Sequence, residues 1–194
     1  LHRMRPTPGS LMDVPYPVSD ADYLRCVALV RLALPYAGII LTTKEPAGLW
    51  RDGCGAGASQ LLTGSVANPY GGWTVAPGQQ VPFPLGEDCH VDEVVRFLLE
   101  DARHLPSFCA ACPRLGRRGE EFLAMVRECG MKGQCGPNSA ASFMEFLLHY
   151  ATPYTRIQGE LLLEEKLGRM SLHERGAADR LLKKVRAGCM DEFI

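Results

Sequence analysis

The chain has 194 residues, 46% of them hydrophobic and 22% charged, so it can build a sizeable core and is not a disordered segment. Lysine and arginine total 21 against 22 acids, and a net charge of -1 gives no reason to expect nucleic acid or an anionic membrane as the main partner. The longest apolar runs, Cys26–Leu34 and Ala37–Leu41, are broken by Arg31 and Pro35 and fall well short of the about 20 residues a membrane span needs, so a soluble protein is expected.

In chain order, Val18–Leu34 reads as a helix, with Ser19 as N-cap, Leu24, Val27, Ala28 and Leu34 at helical spacing, and Pro35 as the stop. Gly38–Thr43 is a short continuous apolar run of the kind that forms a buried strand. Lys44–Arg51 is a short helix candidate and Ser59–Thr63 a second strand candidate, followed by a long glycine- and proline-rich loop over Gly64–Pro84. Asp92–Leu105 has Val94, Val95, Leu98 and Leu99 on one helical face and Glu93, Arg96, Glu100 and Arg103 on the other. The strand–helix–strand–helix alternation predicts an α/β fold with a parallel sheet and crossover helices. A closed eight-stranded barrel typically takes about 250 residues, so a barrel would be represented here only by its later strands.

Beyond Leu105 the pattern becomes helical. Glu120–Val126 is a short segment. Pro137–Tyr150 carries Phe143, Leu147 and Tyr150 as an apolar stripe, with Pro137 suited to the first helical position. Tyr154–Leu167 and Ser171–Ala187 follow, the last ending in Lys183, Lys184 and Arg186 before Gly188. The expected division is residues 1–108, an α/β part, and residues 109–194, a mostly helical domain.

Eight cysteines are many for a chain of this length. Cys109 and Cys112 stand two residues apart, and 22 residues separate Cys112 from Cys135. A C-x2-C turn brings two thiolates to one metal centre, and a third cysteine from another segment completes a tripod. Cys135 precedes Gly136 and Pro137 at a helix start, where the macrodipole is expected to lower its pKa. Arg114, Arg117, Arg118 and Lys132 lie close in sequence and would offset thiolate charge. Spacing alone leaves zinc and iron–sulfur equally open, with Cys129, His104 or His149 as candidate fourth zinc ligands, and a disulfide pair as a third reading. Cys26, Cys54, Cys89 and Cys189 are isolated and read as ordinary thiols.

The stretch Leu105-Pro-Ser-Phe-Cys-Ala-Ala-Cys-Pro-Arg-Leu-Gly-Arg-Arg-Gly-Glu-Glu-Phe, with Cys135-Gly-Pro-Asn-Ser and Phe143-Met-Glu-Phe-Leu-Leu-His-Tyr-Ala-Thr-Pro, resembles the C-terminal region of the radical S-adenosylmethionine tyrosine lyase that matures iron–iron hydrogenase. The C-x2-C-x22-C spacing matches that family's signature. Upstream, Arg3-Met-Arg-Pro, Pro35-Tyr-Ala-Gly-Ile-Ile-Leu-Thr-Thr-Lys-Glu and Ser59-Gln-Leu-Leu-Thr-Gly-Ser look like late barrel strands of the same family and of its thiazole-synthesis relative. The resemblance runs to Lys184-Val-Arg-Ala-Gly. It implies later strands and helices of a radical-SAM TIM-type barrel, followed by a helical domain of the biotin and thiamin synthesis-associated kind.

The resemblance further implies that Cys109, Cys112 and Cys135 hold an auxiliary 4Fe–4S cluster whose open iron, with an additional labile iron, collects carbon monoxide and cyanide. These come from tyrosine by carbon–carbon cleavage, driven by a 5′-deoxyadenosyl radical made from S-adenosylmethionine at a second 4Fe–4S cluster. That second cluster's C-x3-C-x2-C motif does not occur in this chain. The chain is therefore expected to be a fragment, inactive alone, of an enzyme in the cytoplasm or in an organelle such as a plastid, with hydrogenase-assembly proteins as partners. Thr43, Lys44 and Ser65, at C-terminal strand ends, are the candidate substrate-binding residues, and Arg3 and Arg5 are candidates for the same mouth. Lys44 and Val66 stand where the family usually has arginine, which opens the reading of another substrate. A non-catalytic module stapled by zinc is the alternative to an enzyme.

Overall fold

The computed structural model describes residue 1, residue 3 and residues 15–43, 45–63, 90–128, 131 and 133–194. The Gly64–Pro84 loop, Lys44, Ser65, Arg5, Lys132 and Cys129 lie outside them. The described residues are mostly helical, with one small parallel sheet, and divide into two compact units, Leu1–Val94 and Val95–Ile194.

In the first unit, α1 (Asp20–Ala33) leads to β1 (Ile40–Thr42), α2 (Ala47–Ala56) and β2 (Gln60–Leu62). Ser19 caps α1 as expected, its hydroxyl oxygen accepting from the Asp22 N–H at 3.1 Å. The two strands pair in parallel, Leu41 opposite Leu61, as the strand–helix–strand order requires. Tyr23 and Val27 of α1 pack on Ile39, Leu41 and Leu49 to form this unit's core. Gly53 allows α2 to lie this close to the sheet: a Cβ there would stand 2.4 Å from the Leu41 Cδ1. Arg31 joins the ends of both helices, donating from Nε to the Gly57 carbonyl at 2.9 Å and from Nη1 to Pro35 and Ala37 at 2.8 Å.

Helix α3 (Val91–Glu100) crosses the division between the units. It stops short of the expected Leu105. Arg103 adopts a left-handed φ of 50°, which turns the chain, and Leu105 packs instead as a single side chain against both clusters of the helical unit. There the chain forms α4 (Ala111–Arg114), α5 (Gly119–Arg127), α6 (Cys135–His149), α7 (Pro153–Gly168) and α8 (Leu172–Arg186).

Helix α6 is the spine of the second unit. Ala140, Ala141 and Met144 meet Leu163, Leu167, Ala178, Leu181, Leu182 and Val185. Phe143, Phe146 and Leu147 meet Val95, Leu99 and Leu162. Pro137 takes the third helical position rather than the first, which costs no hydrogen bond because first-turn N–H groups have no partner inside the helix. Thr152 caps α7 ahead of Pro153. Ser171 and Glu174 form a reciprocal capping box on α8.

Candidate metal centre

Cys109 and Cys112 sit on a tight turn. The Cys109 N–H donates to the Ser107 hydroxyl at 3.3 Å, and the Ala111 N–H donates to the Cys109 Sγ at 3.5 Å. Cys112 lies in α4, whose four residues, one of them Pro113, are too short and too irregular for a periodic signal. After α4, Gly116 adopts a φ of 74° and the chain turns back, with the Arg117 N–H donating to the Cys112 carbonyl at 3.0 Å. Cys135 is the first residue of α6.

Cys109 and Cys135 are exposed, Cys112 is half-buried, and the six described cysteines are all free thiols. The Cys135 thiol is pushed above its ordinary value, chiefly by desolvation and then by the charges of Cys112 and Cys109, with the Arg117 guanidinium pulling the other way. The direction is opposite to the lowering expected at a helix start, because withdrawal from water and the neighbouring cysteines raise the Cys135 thiol. Cys135 thus lies within the field of both other sulfurs. Among the described residues no three His, Cys, Asp or Glu side chains are drawn around one point for a single metal ion.

The basic residues divide into separate roles. Arg117 donates from Nη1 to the Gln134 Oε1 at 2.9 Å, one residue before Cys135. Arg114 pairs with Asp191 at 3.0 Å. Arg118 donates to the Pro113 carbonyl. A cleft of about 210 Å³ opens beside Cys109, lined by Phe108, Phe146 and Tyr150 together with Arg114, Asn138 and Glu145. Its floor is fixed by Asn138, buried on α6, whose amide exchanges two hydrogen bonds with the Ile194 backbone at 3.1 and 2.9 Å. No sequence pattern marked Asn138, because a buried amide answering a distant backbone has no local spacing.

Of the residues suggested for a substrate's polar head, Thr43 is described. It is buried at the end of β1, its hydroxyl donating to the Leu62 carbonyl at 3.0 Å. Arg3 is committed elsewhere: its buried guanidinium bonds both Glu45 carboxylate oxygens, from Nε to Oε1 at 3.2 Å and from Nη2 to Oε2 at 2.7 Å, and pairs with Asp20. Glu45, 4% exposed, was not singled out by the sequence. Among the described residues no helix is long and apolar enough to cross a membrane.

The profile of the biotin and thiamin synthesis associated domain matches residues 1–132. Among solved structures, the chain is similar to HydG, described as a maturase of the FeFe-hydrogenase, with a TM-score of 0.79 and 32% identity over 98% of this chain and 40% of that one. It is also similar to the FeFe-hydrogenase maturase HydG from Carboxydothermus hydrogenoformans, with a TM-score of 0.65 and 29% identity over 92% of this chain and 37% of that one. The chain therefore spans about two fifths of the length of these relatives. A comparison with curated proteins found no match.

Proposed function

The chain belongs to the biotin and thiamin synthesis associated domain family, and from that premise we propose that it is the C-terminal part of a radical S-adenosylmethionine maturase of iron–iron hydrogenase, in which Cys109, Cys112 and Cys135 hold an auxiliary 4Fe–4S cluster. What supports this reading is the C-x2-C-x22-C spacing in a chain 32% identical to such a maturase, with Cys135 in the field of Cys109 and Cys112. In this reading residues 1–108 contribute the later strands and helices of a (β/α) barrel, of which the parallel β1–α2–β2 unit is one turn, and residues 109–194 form the cluster domain.

The donor set suits an iron–sulfur cluster. Three soft thiolates favour iron–sulfur or zinc over harder cations. A cluster spreads its thiolates over separate irons, so it tolerates sulfurs that share a field without converging on one point. When bound, such a cluster supplies one iron that carries no protein thiolate and can take a small-molecule ligand. The chain's own residues have defined work. The Ala111 N–H donates to the Cys109 Sγ, Arg117 offsets charge at Cys135, and the cleft beside Cys109 leaves that flank open to small molecules.

The whole enzyme would cleave tyrosine and convert its product to carbon monoxide and cyanide. S-adenosylmethionine and the second cluster would be held by segments outside this chain, and hydrogenase-assembly proteins would receive the product. Thr43, Lys44 and Ser65 are the proposed contacts to the substrate's polar head. Lysine keeps the positive charge at residue 44 but lacks the bidentate fork of arginine, so carboxylate affinity should be weaker than with arginine there.

Anaerobic reconstitution of the full chain with iron and sulfide tests the cluster. Brown protein with a broad band near roughly 400 nm, lost on serine substitution at Cys109, Cys112 or Cys135 and kept on Cys129→Ser, is the expected result. A triple cysteine variant that colours as well as wild type would overturn the assignment. One equivalent of zinc that depends on Cys129 would establish the zinc-stapled reading in its place.

A further inference from the structure

We propose that Arg117 is a positioning residue that holds the turn bearing Cys109 and Cys112 against the helix start bearing Cys135. The inference rests on reading the three thiols as one site, but not on what that site binds.

The two halves of the site are separately rigid. On one side, the Leu115 N–H closes on Ala111 at 2.9 Å, Gly116 on Pro113 at 3.2 Å and Arg117 on Cys112 at 3.0 Å, so the Arg117 backbone is fixed relative to Cys112. On the other side, Gln134 is the residue from which α6 starts. Its N–H donates to Met131 at 3.2 Å and its carbonyl accepts from Asn138 at 3.1 Å, so its side chain moves with Cys135. Between these halves the chain makes a detour through α5, which has no buried residue. Its apolar residues Phe122, Leu123, Met125 and Val126 are only half-buried, so bonds made directly between the ends of the detour add to what positions them.

Among the described residues, stacking of the Phe108 ring on Phe146 at 4.8 Å and two hydrogen bonds make that join. The Phe108 N–H donates to the Ser142 hydroxyl at 3.2 Å and fixes the cysteine turn part-way along α6. The Arg117–Gln134 bond, 2.9 Å and part-buried, fixes it at the end where Cys135 stands. Arginine suits the task better than lysine, because its planar fork holds one direction and tolerates partial desolvation.

The test uses the metal-free full chain under reducing conditions and the bis-alkylating reagent dibromobimane, which joins neighbouring thiols. Trypsin then separates Cys109 and Cys112 (residues 104–114) from Cys129 and from Cys135 (residues 133–156). Wild type should yield the cross-link between the 104–114 and 133–156 peptides. Arg117→Met should lower its initial rate roughly fivefold, the effect of losing one charge-assisted hydrogen bond. Arg117→Lys should restore part of the rate, and Gln134→Leu, which removes the acceptor from the other side, should reproduce the loss. Thermal melting should stay near wild type in all three, since the bond joins surface segments and not core.

Wild-type rates in both Arg117→Met and Gln134→Leu would overturn the proposal, as would an Arg117→Lys variant no faster than Arg117→Met. Because no metal enters the assay, a chain that stays colourless on reconstitution yet shows this arginine dependence would refute the cluster and leave the positioning role standing.

Discussion

Replacing Gly159 with alanine puts the packing of the helical unit to a quantitative test. Gly159 lies where α7 crosses α6, and a Cβ there would stand 2.6 and 3.0 Å from the Leu147 methyl carbons and 3.1 Å from the Phe143 Cζ. Neither neighbour can swing into solvent, since Leu147 is 1% and Phe143 0% exposed. The two helices must therefore separate, or Leu147 must leave its rotamer. Overpacking of this kind costs about 1–3 kcal/mol, while glycine-to-alanine in a helix interior returns up to about 1 kcal/mol. Steric strain wins, and a net loss of roughly 1–2 kcal/mol is expected. Gly176 in α8 is the control: a Cβ there meets only the flexible tip of Arg180, at 3.8 Å, so Gly176→Ala should gain about 0.5–1 kcal/mol. Urea unfolding followed by far-ultraviolet circular dichroism reads both changes as shifts in midpoint at constant slope. Equal or greater stability in Gly159→Ala would refute the close α6–α7 crossing.

Other substitutions probe the remaining contacts. Glu45→Gln leaves the buried Arg3 guanidinium with only the exposed Asp20 carboxylate, and a loss of about 3 kcal/mol is expected by chemical denaturation; a loss under about 0.5 kcal/mol would mean that the Arg3–Glu45 pair does not hold the first unit together. Ser171→Ala breaks the α8 capping box, for about 1 kcal/mol and a matching drop in melting temperature, whereas an unchanged melt would remove the cap from the account. Burial raises the Cys54 thiol. The native state therefore holds its proton to higher pH than the unfolded chain, and this group's share of stability falls as pH rises through the ordinary thiol range. The pH profile of Cys54 alkylation should accordingly lie higher in native protein than in urea, and coincident profiles would contradict the burial.

Much of the fold was legible because its elements are locally consistent. Ser19 and Pro35 bracket α1, the Gly38–Thr43 and Ser59–Thr63 runs contain the two strands, and Phe143 and Leu147 of the expected α6 stripe are buried, whereas Tyr150, expected on the same stripe, caps the helix and is exposed. The errors fall where tertiary contacts override local pattern. Asp92–Leu105 looks continuously amphipathic, yet the core needs Leu105 off the helix, and the chain breaks at Arg103 to deliver it. The site divides in the same way. Spacing alone brought out Cys109, Cys112 and Cys135, because C-x2-C is a local constraint. The direction of the Cys135 shift, the Arg117–Gln134 tie and the Asn138 anchor depend on groups far apart in sequence.

The most direct measurement is native mass spectrometry of the anaerobically reconstituted full chain beside its Cys109→Ser, Cys112→Ser and Cys135→Ser variants. Wild type should carry an added mass of four irons and four sulfides, and each variant should lose it. A wild-type chain that carries one zinc, or that retains the full iron–sulfur mass in all three variants, would contradict a cluster gripped by these cysteines.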